Sequence, residues 1–214
     1  MDSTNGPLLD KPLDPSRPQR SALPAGFVRK MLQARTAEIH ERLHGASSFQ
    51  AVLGGESDRK AYGRLLQAIT SFHWAVDPCL TQALAHLRDK GISLPPSGRL
   101  SRLEADLAFI GNGPVSLQLA PSIQEASPAA SVGYLYVVEG SALGAKLIAS
   151  HLDYLFDDDQ GRTFFRGDKA NGKRWRKVCE GIERVGQTSE DRAALAAGAV
   201  TAFALFEHCL EAAC

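Results

Sequence analysis

The sequence predicts an all-α protein, and three observations support this class. Apolar residues recur at helical spacing in several segments that are bounded by polar capping signals and glycines. No segment shows the strict alternation of apolar and polar residues that is typical of a strand, and there is no internal repeat. No glycine-rich phosphate-binding loop occurs. A chain of 214 residues is long enough for one core, so we expect a single domain.

The N-terminal part of the chain predicts a tail followed by a helix. Prolines among polar residues prevent residues 1–24 from sustaining a helix, so we expect a flexible Pro-rich tail ahead of a helical domain over residues 25–214. From Phe27 onward apolar residues fall on one side at helical spacing, and Gly45 ends this first helix. Its apolar stripe consists of Val28, Met31, Leu32, Ile39 and Leu43.

Three more helices are predicted before residue 111. Residues 57–60 form a capping signal for a helix that we expect to end near Pro78. A separate helix is expected over residues 80–90, and a short one over residues 102–110. A break that contains two prolines separates them at residues 94–98.

The apolar run over residues 134–151 predicts a buried helix with glycines in its interior. Gly140 and Gly144 each cost about 1 kcal/mol relative to alanine at such positions. Their four-residue spacing places both on nearly the same face of the helix. Either another helix packs closely on this bare face, or a flat or bulky ligand lies against it.

Two helices are predicted in the C-terminal part of the chain. Residues 164–168 are expected to form a loop or short turn, and a basic amphipathic helix follows over residues 172–185. Thr188 begins a capping signal for the last helix. The inward stripe of that helix consists of Leu195, Ala199, Phe203 and Phe206.

Charge and cysteine content argue against several classes of protein. Lys+Arg and Asp+Glu both number 24, so neither nucleic acid nor an anionic membrane is expected as the main partner. The chain has no run of roughly 20 uninterrupted apolar residues and no secretory signal at its start, so we expect a cytoplasmic protein without a membrane span. The four cysteines form no C-x-x-C pair, and we expect reduced thiols.

His40 is the first candidate ligand. It lies next to the apolar stripe of the first helix, where its imidazole could face a pocket and ligate a metal through one nitrogen. A surface position or a hydrogen-bonded core position is the other interpretation. His44 shares its face, and such a pair could bind zinc, although the spacing lacks the internal glutamate of the metalloprotease pattern.

Several motifs together resemble those of the bacterial haem oxygenases. They are T-x-x-x-H at residues 36–40, Y-x-x-L-L at residues 62–66, D-L-x-x-I at residues 106–110 and L-Y-V-V-E-G-S-A-L-G-A at residues 135–145. The last is the most specific, and the motifs occur in order over most of residues 27–210. The resemblance implies a single-domain, all-α, haem oxygenase-like fold with haem sandwiched between a proximal and a distal helix.

The resemblance also assigns roles to residues at matching positions. It implies that His40 is the axial ligand of the haem iron. Gly140 and Gly144 would form the close-approach surface of the distal helix, where a Cβ would collide with the ring or with bound oxygen. Ser141 stands where another branch of the family carries an acidic residue, so protons would come through ordered water. Tyr136 matches a tyrosine that contacts the haem propionates.

Cations and aromatic residues complete the implied pocket. Haem propionates need cations or hydroxyls, and we favour Arg176 and Lys177 over the other cations of the basic helix (Lys173, Arg174) and of the first helix (Arg29, Lys30, Arg35). Phe203 and Phe206 are expected to wall the pocket. One departure concerns His44, which replaces a carboxylate that often orients the proximal histidine in this family. What orients His40 is therefore left open.

The function that the resemblance implies is that of a haem oxygenase, for which haem is both substrate and cofactor. O2 is consumed, and biliverdin, CO and ferrous iron are the products. No nucleotide-binding fingerprint occurs, so electrons would come from a ferredoxin or a reductase. A bilin-binding photoreceptor could receive the product. A non-catalytic haem-binding or haem-transfer protein on the same scaffold is the alternative, and a haem-free helical interaction module is the third reading.

Overall fold

A computed structural model describes residues 23–111 and 126–213, and these residues form helices and connecting loops without a strand. The predicted all-α class is confirmed. Most of the predicted N-terminal tail, residues 112–125 and Cys214 lie outside the described residues. The helices within the described ranges are α1 Phe27–His44, α2 Ser47–Leu53, α3 Arg59–Asp89, α4 Arg99–Ile110, α5 Pro128–Ser150, α6 Thr163–Arg166, α7 Asn171–Val185 and α8 Ser189–Ala212.

Helices α3, α5 and α8 form the centre of the domain. The most extensive helix contact joins α5 to α8, and α3 packs against both of them. Helix α1 packs on α8 and α7, whereas it has little direct contact with α5. Helices α1 and α5 are therefore held on the same two neighbours without closing on each other.

Polar contacts fix α1 at both ends. The Glu183 carboxylate of α7 accepts hydrogen bonds from the backbone N–H groups of Val28 and Arg29 at 3.2 and 2.9 Å. This replaces the side-chain cap that α1 lacks. Near the other end, Arg42 donates to Glu207 of α8 at 2.9 Å. The orientation of the histidine-bearing helix is thus set by α7 and α8.

Helix α3 is continuous through Pro78, so the predicted end near Pro78 and the separate helix over residues 80–90 are wrong. A proline inside a helix removes one hydrogen bond and costs about 3 kcal/mol or more. Here Pro78 is exposed, while the same helix buries Val76, Cys79, Ala83 and other apolar residues on both sides of it. Burial of this continuous stripe outweighs the local cost of the proline. The predicted cap is confirmed, because the Asp58 side chain accepts from the Ala61 N–H at 2.6 Å.

Two short helices were not predicted as such. Helix α2 follows α1 directly, and α6 occupies part of the loop or turn expected at residues 164–168. The N-terminus of α6 is held by the Asp106 carboxylate of α4, which accepts from the N–H groups of Thr163 and Phe164 at 2.9 and 2.8 Å. Burial raises the pKa of Asp106, and these hydrogen bonds act against that shift.

The backbones of α5 and α8 touch where two glycines meet. A Cβ on Gly133 would lie closer than 3.0 Å to backbone atoms of Leu195 and Ala199, and a Cβ on Gly198 would overlap the Ala130 carbonyl. Close helix packing on small residues therefore occurs at Gly133 and Gly198, which the sequence did not single out. Helix α5 begins at Pro128, before the expected start at residue 134, because Ser127 caps it: the Ser127 hydroxyl accepts from the Ala130 N–H at 3.2 Å.

Helices α5 and α8 are long and apolar enough to cross a membrane by length and composition alone. In each, 44% of the apolar window is buried inside the domain, and core helices of soluble proteins pass the same test. The expected absence of a membrane span stays a prediction.

Candidate functional site

One face of α5 becomes progressively less covered along the helix. At Gly133 the face is filled by the α8 backbone. At Gly140 an added Cβ would lie 3.3 Å from the Trp175 ring of α7, and at Gly144 it would meet nothing within 4 Å. The backbone of α5 is therefore open to a ligand in its second half, at the end remote from the crossing with α8.

The open part of this face is apolar. At about 100° per residue, positions 136, 140, 143, 144 and 147 fall within an arc of roughly 100°. Leu143 and Leu147 lie there and are 52% and 59% exposed. Two leucines beside a bare glycine form an uncovered apolar surface on an otherwise core helix, which is typical of a binding site.

His40 lies on the surface of α1. Its side chain is 51% exposed, and its ring contacts the edge of Phe203 on α8 with 5.8 Å between ring centroids. Burial of the remaining part lowers the pKa of His40, His44 adds to this effect, and Glu41 opposes it. The imidazole is therefore neutral at neutral pH, which is the form that ligates a metal ion.

His44 contacts His40 directly. Their Nε2 atoms are 3.3 Å apart, and their ring centroids are 4.4 Å apart. The Nδ1 atom of His40 faces the Glu41 carboxylate at 4.0 Å. The residue in place of the family's carboxylate thus contacts the imidazole of the candidate ligand itself.

A cation and a phenol lie at one edge of the space between α1 and α5. The Tyr136 ring of α5 contacts Trp175 of α7, with 5.5 Å between centroids. Burial raises the pKa of Tyr136, and the charge of Arg29 acts against this shift. Burial raises the pKa of the Cys179 thiol of α7, and Arg29 of α1 acts against this shift too. Because eleven residues are about three helical turns, Arg29 lies on nearly the same face of α1 as His40.

The structure places the other predicted site residues as follows. Arg176 is exposed, and Lys177 pairs along its own helix with Glu180, at 3.0 Å between Nζ and Oε2. Phe203 lies beside His40, whereas Phe206 packs against Phe49 and Phe72. Ser141 is exposed, and its hydroxyl donates to the Val138 carbonyl at 2.9 Å. Arg29, which the sequence offered but did not favour, is the cation next to Tyr136.

A buried ion cluster holds the neighbouring side of α5. Glu139 accepts from Arg99 of α4 at 2.8 Å and from Arg174 of α7 at 2.5 and 3.1 Å. All three side chains are at least 93% buried, and Arg99 also donates to the Val138 carbonyl. Sequence reasoning missed this cluster, although Glu139 belongs to the most specific motif. It fixes α5 at the residue before Gly140.

His73 is a second residue that sequence reasoning missed. It is buried in α3, and its ring contacts those of Phe72 and Phe164. Burial lowers its pKa to about 3, and the positive charge of Arg99 acts in the same direction. His73 is therefore neutral at physiological pH. A lone histidine in an apolar helix gives no sequence signal for this environment.

The described residues contain no group of three or more His, Cys, Asp or Glu side chains that could hold a metal ion. Cys79 and Cys209 are buried and Cys179 is partly buried, and none of the three forms a disulfide among the described residues. Burial raises the pKa of Cys209 to about 11, so this thiol stays protonated.

Fold and site define an all-α domain that offers a neutral imidazole on one helix and a bare apolar face on another. This arrangement suits a flat apolar ligand with an axially coordinated metal and anionic edge groups. The chain belongs to the haem oxygenase family, whose model matches residues 28–212. A comparison with curated proteins found no match.

Solved structures of the same fold include proteins named as haem oxygenases. The NO- and CO-bound haem oxygenase of Neisseria meningitidis is 26% identical, with a TM-score of 0.64 over 87% of this chain and 91% of that chain. Haem oxygenase-1 of the cyanobacterium Synechocystis, in complex with haem, is 15% identical, with a TM-score of 0.65 over 86% and 90%. A domain of unknown function from Shewanella denitrificans with a haem oxygenase-like fold is 18% identical, with a TM-score of 0.64 over 87% and 91%. The predicted haem oxygenase-like fold is confirmed.

Proposed function

We propose that this protein is a haem oxygenase that cleaves haem to biliverdin, CO and ferrous iron. The observation that carries the proposal is the combination of a neutral, half-exposed His40 on α1 with an uncovered Gly144 on α5, in a chain of this family. The residues present fit haem, because one helix offers an imidazole that could ligate iron and the other offers an apolar face on which Gly144 leaves the backbone uncovered.

Each residue has a defined task in this proposal. His40 would ligate the haem iron, and Phe203 supports its imidazole from α8. Gly144 would let the haem approach the α5 backbone, and Leu143 and Leu147 extend that apolar face. At Gly140 the Trp175 ring lies against the helix, so it would have to turn away for haem to reach this glycine. When bound, haem supplies the iron that activates O2 and the carbon that is oxidised.

The propionates would lie at the edge formed by Tyr136 and Arg29. A phenol and a guanidinium both donate hydrogen bonds to carboxylates, and the positive charge of Arg29 acts on the Tyr136 phenol. Arg176 remains a second candidate because it is exposed. Lys177 would first have to leave Glu180.

Oxygen activation needs electrons and protons from outside the chain. We propose that a ferredoxin or a reductase supplies the electrons. Protons would reach the open face through water, because Ser141 is exposed and has no acidic group of its own. A cytoplasmic location and a bilin-binding photoreceptor as recipient of the product complete the proposal.

A haem-binding or haem-transfer role without catalysis is the second candidate. It is favoured by one observation, which is that His44 contacts the candidate ligand where the family often has a carboxylate. The fold does not decide between the two roles, because the Shewanella domain of the same fold has no known function.

The test is a hemin titration of the purified protein, followed by reduction in air. We expect a histidine-ligated haem spectrum and then conversion to biliverdin with a ferredoxin system. His40→Ala should lose the spectrum and the turnover, and added imidazole should restore both in part, while the exposed His208→Ala serves as the control. If haem binds but is not degraded on reduction in air, only the haem-binding or haem-transfer role remains. No haem complex at all would refute both functions.

A further inference from the structure

We propose that His40 and His44 form a binding site for a divalent transition-metal ion, such as Cu²⁺, Ni²⁺ or Zn²⁺, in the haem-free protein. The two residues lie four apart on α1, so their side chains project from one face. The site shares His40 with the proposed haem coordination and adds His44, to which haem coordination assigns no role.

The distance between the two histidines matches a chelate. Their Nε2 atoms are 3.3 Å apart. Two imidazole nitrogens that each bind a tetrahedral zinc ion at about 2.0–2.1 Å are about 3.3–3.4 Å from each other. The two nitrogens are therefore close enough to bind one metal ion once the imidazole rings, whose centroids are 4.4 Å apart, turn their Nε2 lone pairs towards it.

The surroundings leave an open coordination shell. The nitrogen of His40 that faces His44 is Nε2, whereas the Glu41 carboxylate lies 4.0 Å from the other ring nitrogen, Nδ1. His40 is half exposed and His44 is exposed, so water can fill the remaining positions. No third protein donor joins them among the described residues.

The donor type sets the choice of metal. Two imidazole nitrogens favour Cu²⁺ over Ni²⁺ and Zn²⁺ and select against Mg²⁺ and Ca²⁺, which prefer oxygen ligands. Because the proposed function also uses His40, a metal ion on the pair and haem on His40 exclude each other. This second consequence rests on the proposed function, whereas metal binding itself does not.

Metal binding is tested on the haem-free full chain without a polyhistidine tag. We expect one Cu²⁺ or Ni²⁺ per chain by calorimetry, and copper EPR should show two coordinated nitrogens. Loss of an outer-shell partner costs roughly 10- to 100-fold in metal affinity, so losing a direct ligand in His44→Ala or His40→Ala should cost at least that. His208→Ala, which changes an exposed histidine on α8, should bind like the wild type. Unchanged binding in His44→Ala would overturn the proposal.

Competition is tested with the same proteins. Wild-type protein saturated with Ni²⁺ should take up hemin more slowly, and EDTA should restore the rate. His44→Ala should take up hemin at a rate that Ni²⁺ does not change. If bound Ni²⁺ does not slow hemin uptake by the wild type, the metal ion and haem do not exclude each other, and this consequence is refuted. If hemin never binds while the metal titration succeeds, the proposed function fails and the metal site stands.

Discussion

His73 lies inside α3 between aromatic rings, near the positive charge of Arg99, and this setting decides its ionisation. Its pKa is lowered from 6.5 to about 3, first by burial and then by Arg99. At mildly acidic pH the His73 imidazole is therefore protonated in the unfolded chain and neutral in the folded chain. The stabilisation is complete above the unfolded pKa and is lost as the pH falls from 6.5 towards 3.

We predict a pH-dependent stability that traces to this one residue. Between about pH 6 and about pH 4, His73 should contribute a loss of about 1.4 kcal/mol in the free energy of unfolding per pH unit. His73→Gln should show a shallower slope in urea unfolding experiments, whatever its absolute stability. Asp106, whose pKa is raised, acts in the opposite direction in both proteins and cancels in the comparison. Equal slopes would mean that His73 is protonated in the folded protein.

At the scale of elements, α5 carries glycines with two different roles. Gly133 touches the α8 backbone, whose Gly198 completes the contact, whereas Gly144 faces open space. An alanine at Gly144 would avoid the entropic cost of glycine in a helix without a clash. An alanine at Gly198 would overlap a backbone carbonyl, which cannot move without shifting α5 or α8.

The two alanine substitutions are therefore predicted to act in opposite directions. Gly144→Ala should stabilise the haem-free protein by up to about 1 kcal/mol, or roughly 2–4 °C in Tm, and should weaken hemin binding. Gly198→Ala should destabilise it by at least about 1–3 kcal/mol. Thermal unfolding of the haem-free proteins and hemin titration measure both effects. A lower Tm for Gly144→Ala would show that protein atoms cover that face.

The sequence predicted those elements whose apolar stripe is long and periodic. Helices α1, α7 and α8 follow from apolar spacing, because one buried face determines each of them, whereas the dense apolar run over residues 134–151 predicted α5 without its first turns. The predicted helix end near Pro78 was wrong because the proline costs free energy only locally. The buried apolar stripe of α3 runs along the whole helix and outweighs that cost. Short helices such as α2 have too few turns to show a period.

The sequence predicted which site residues share a face of one helix, but not how the helices pack against each other. Spacing placed His40 and His44 together, and likewise Gly140 and Gly144. Spacing cannot say which helices meet, so it could not find that Arg29 lies near Tyr136, or that Gly133 contacts α8. The assignment of Arg176 and Lys177 to the propionates remains a prediction.

At the scale of the whole molecule, one ion cluster joins three helices beside the candidate site. Glu139 of α5 is shared by Arg99 of α4 and Arg174 of α7, and the Nη1 atom of Arg174 has no partner among the described residues. The cluster thus holds two buried cations and one carboxylate. Burial lowers the pKa of Arg99, and the charge of Glu139 opposes this shift. The carboxylate therefore offsets the cost of burying the guanidiniums inside the domain.

Removing the carboxylate should therefore cost more than removing one cation. Breaking a buried ion pair by deleting one partner costs about 3–5 kcal/mol, and Glu139→Gln leaves two guanidiniums without a counter-charge. Arg174→Met leaves Arg99 paired with Glu139 and should destabilise less. Glu180→Gln, which removes a surface partner of Arg184, is the matched control and should change stability little. Urea unfolding gives the free energy of unfolding of each variant. If Glu139→Gln is at least as stable as Arg174→Met, water must hydrate the two guanidiniums in that variant.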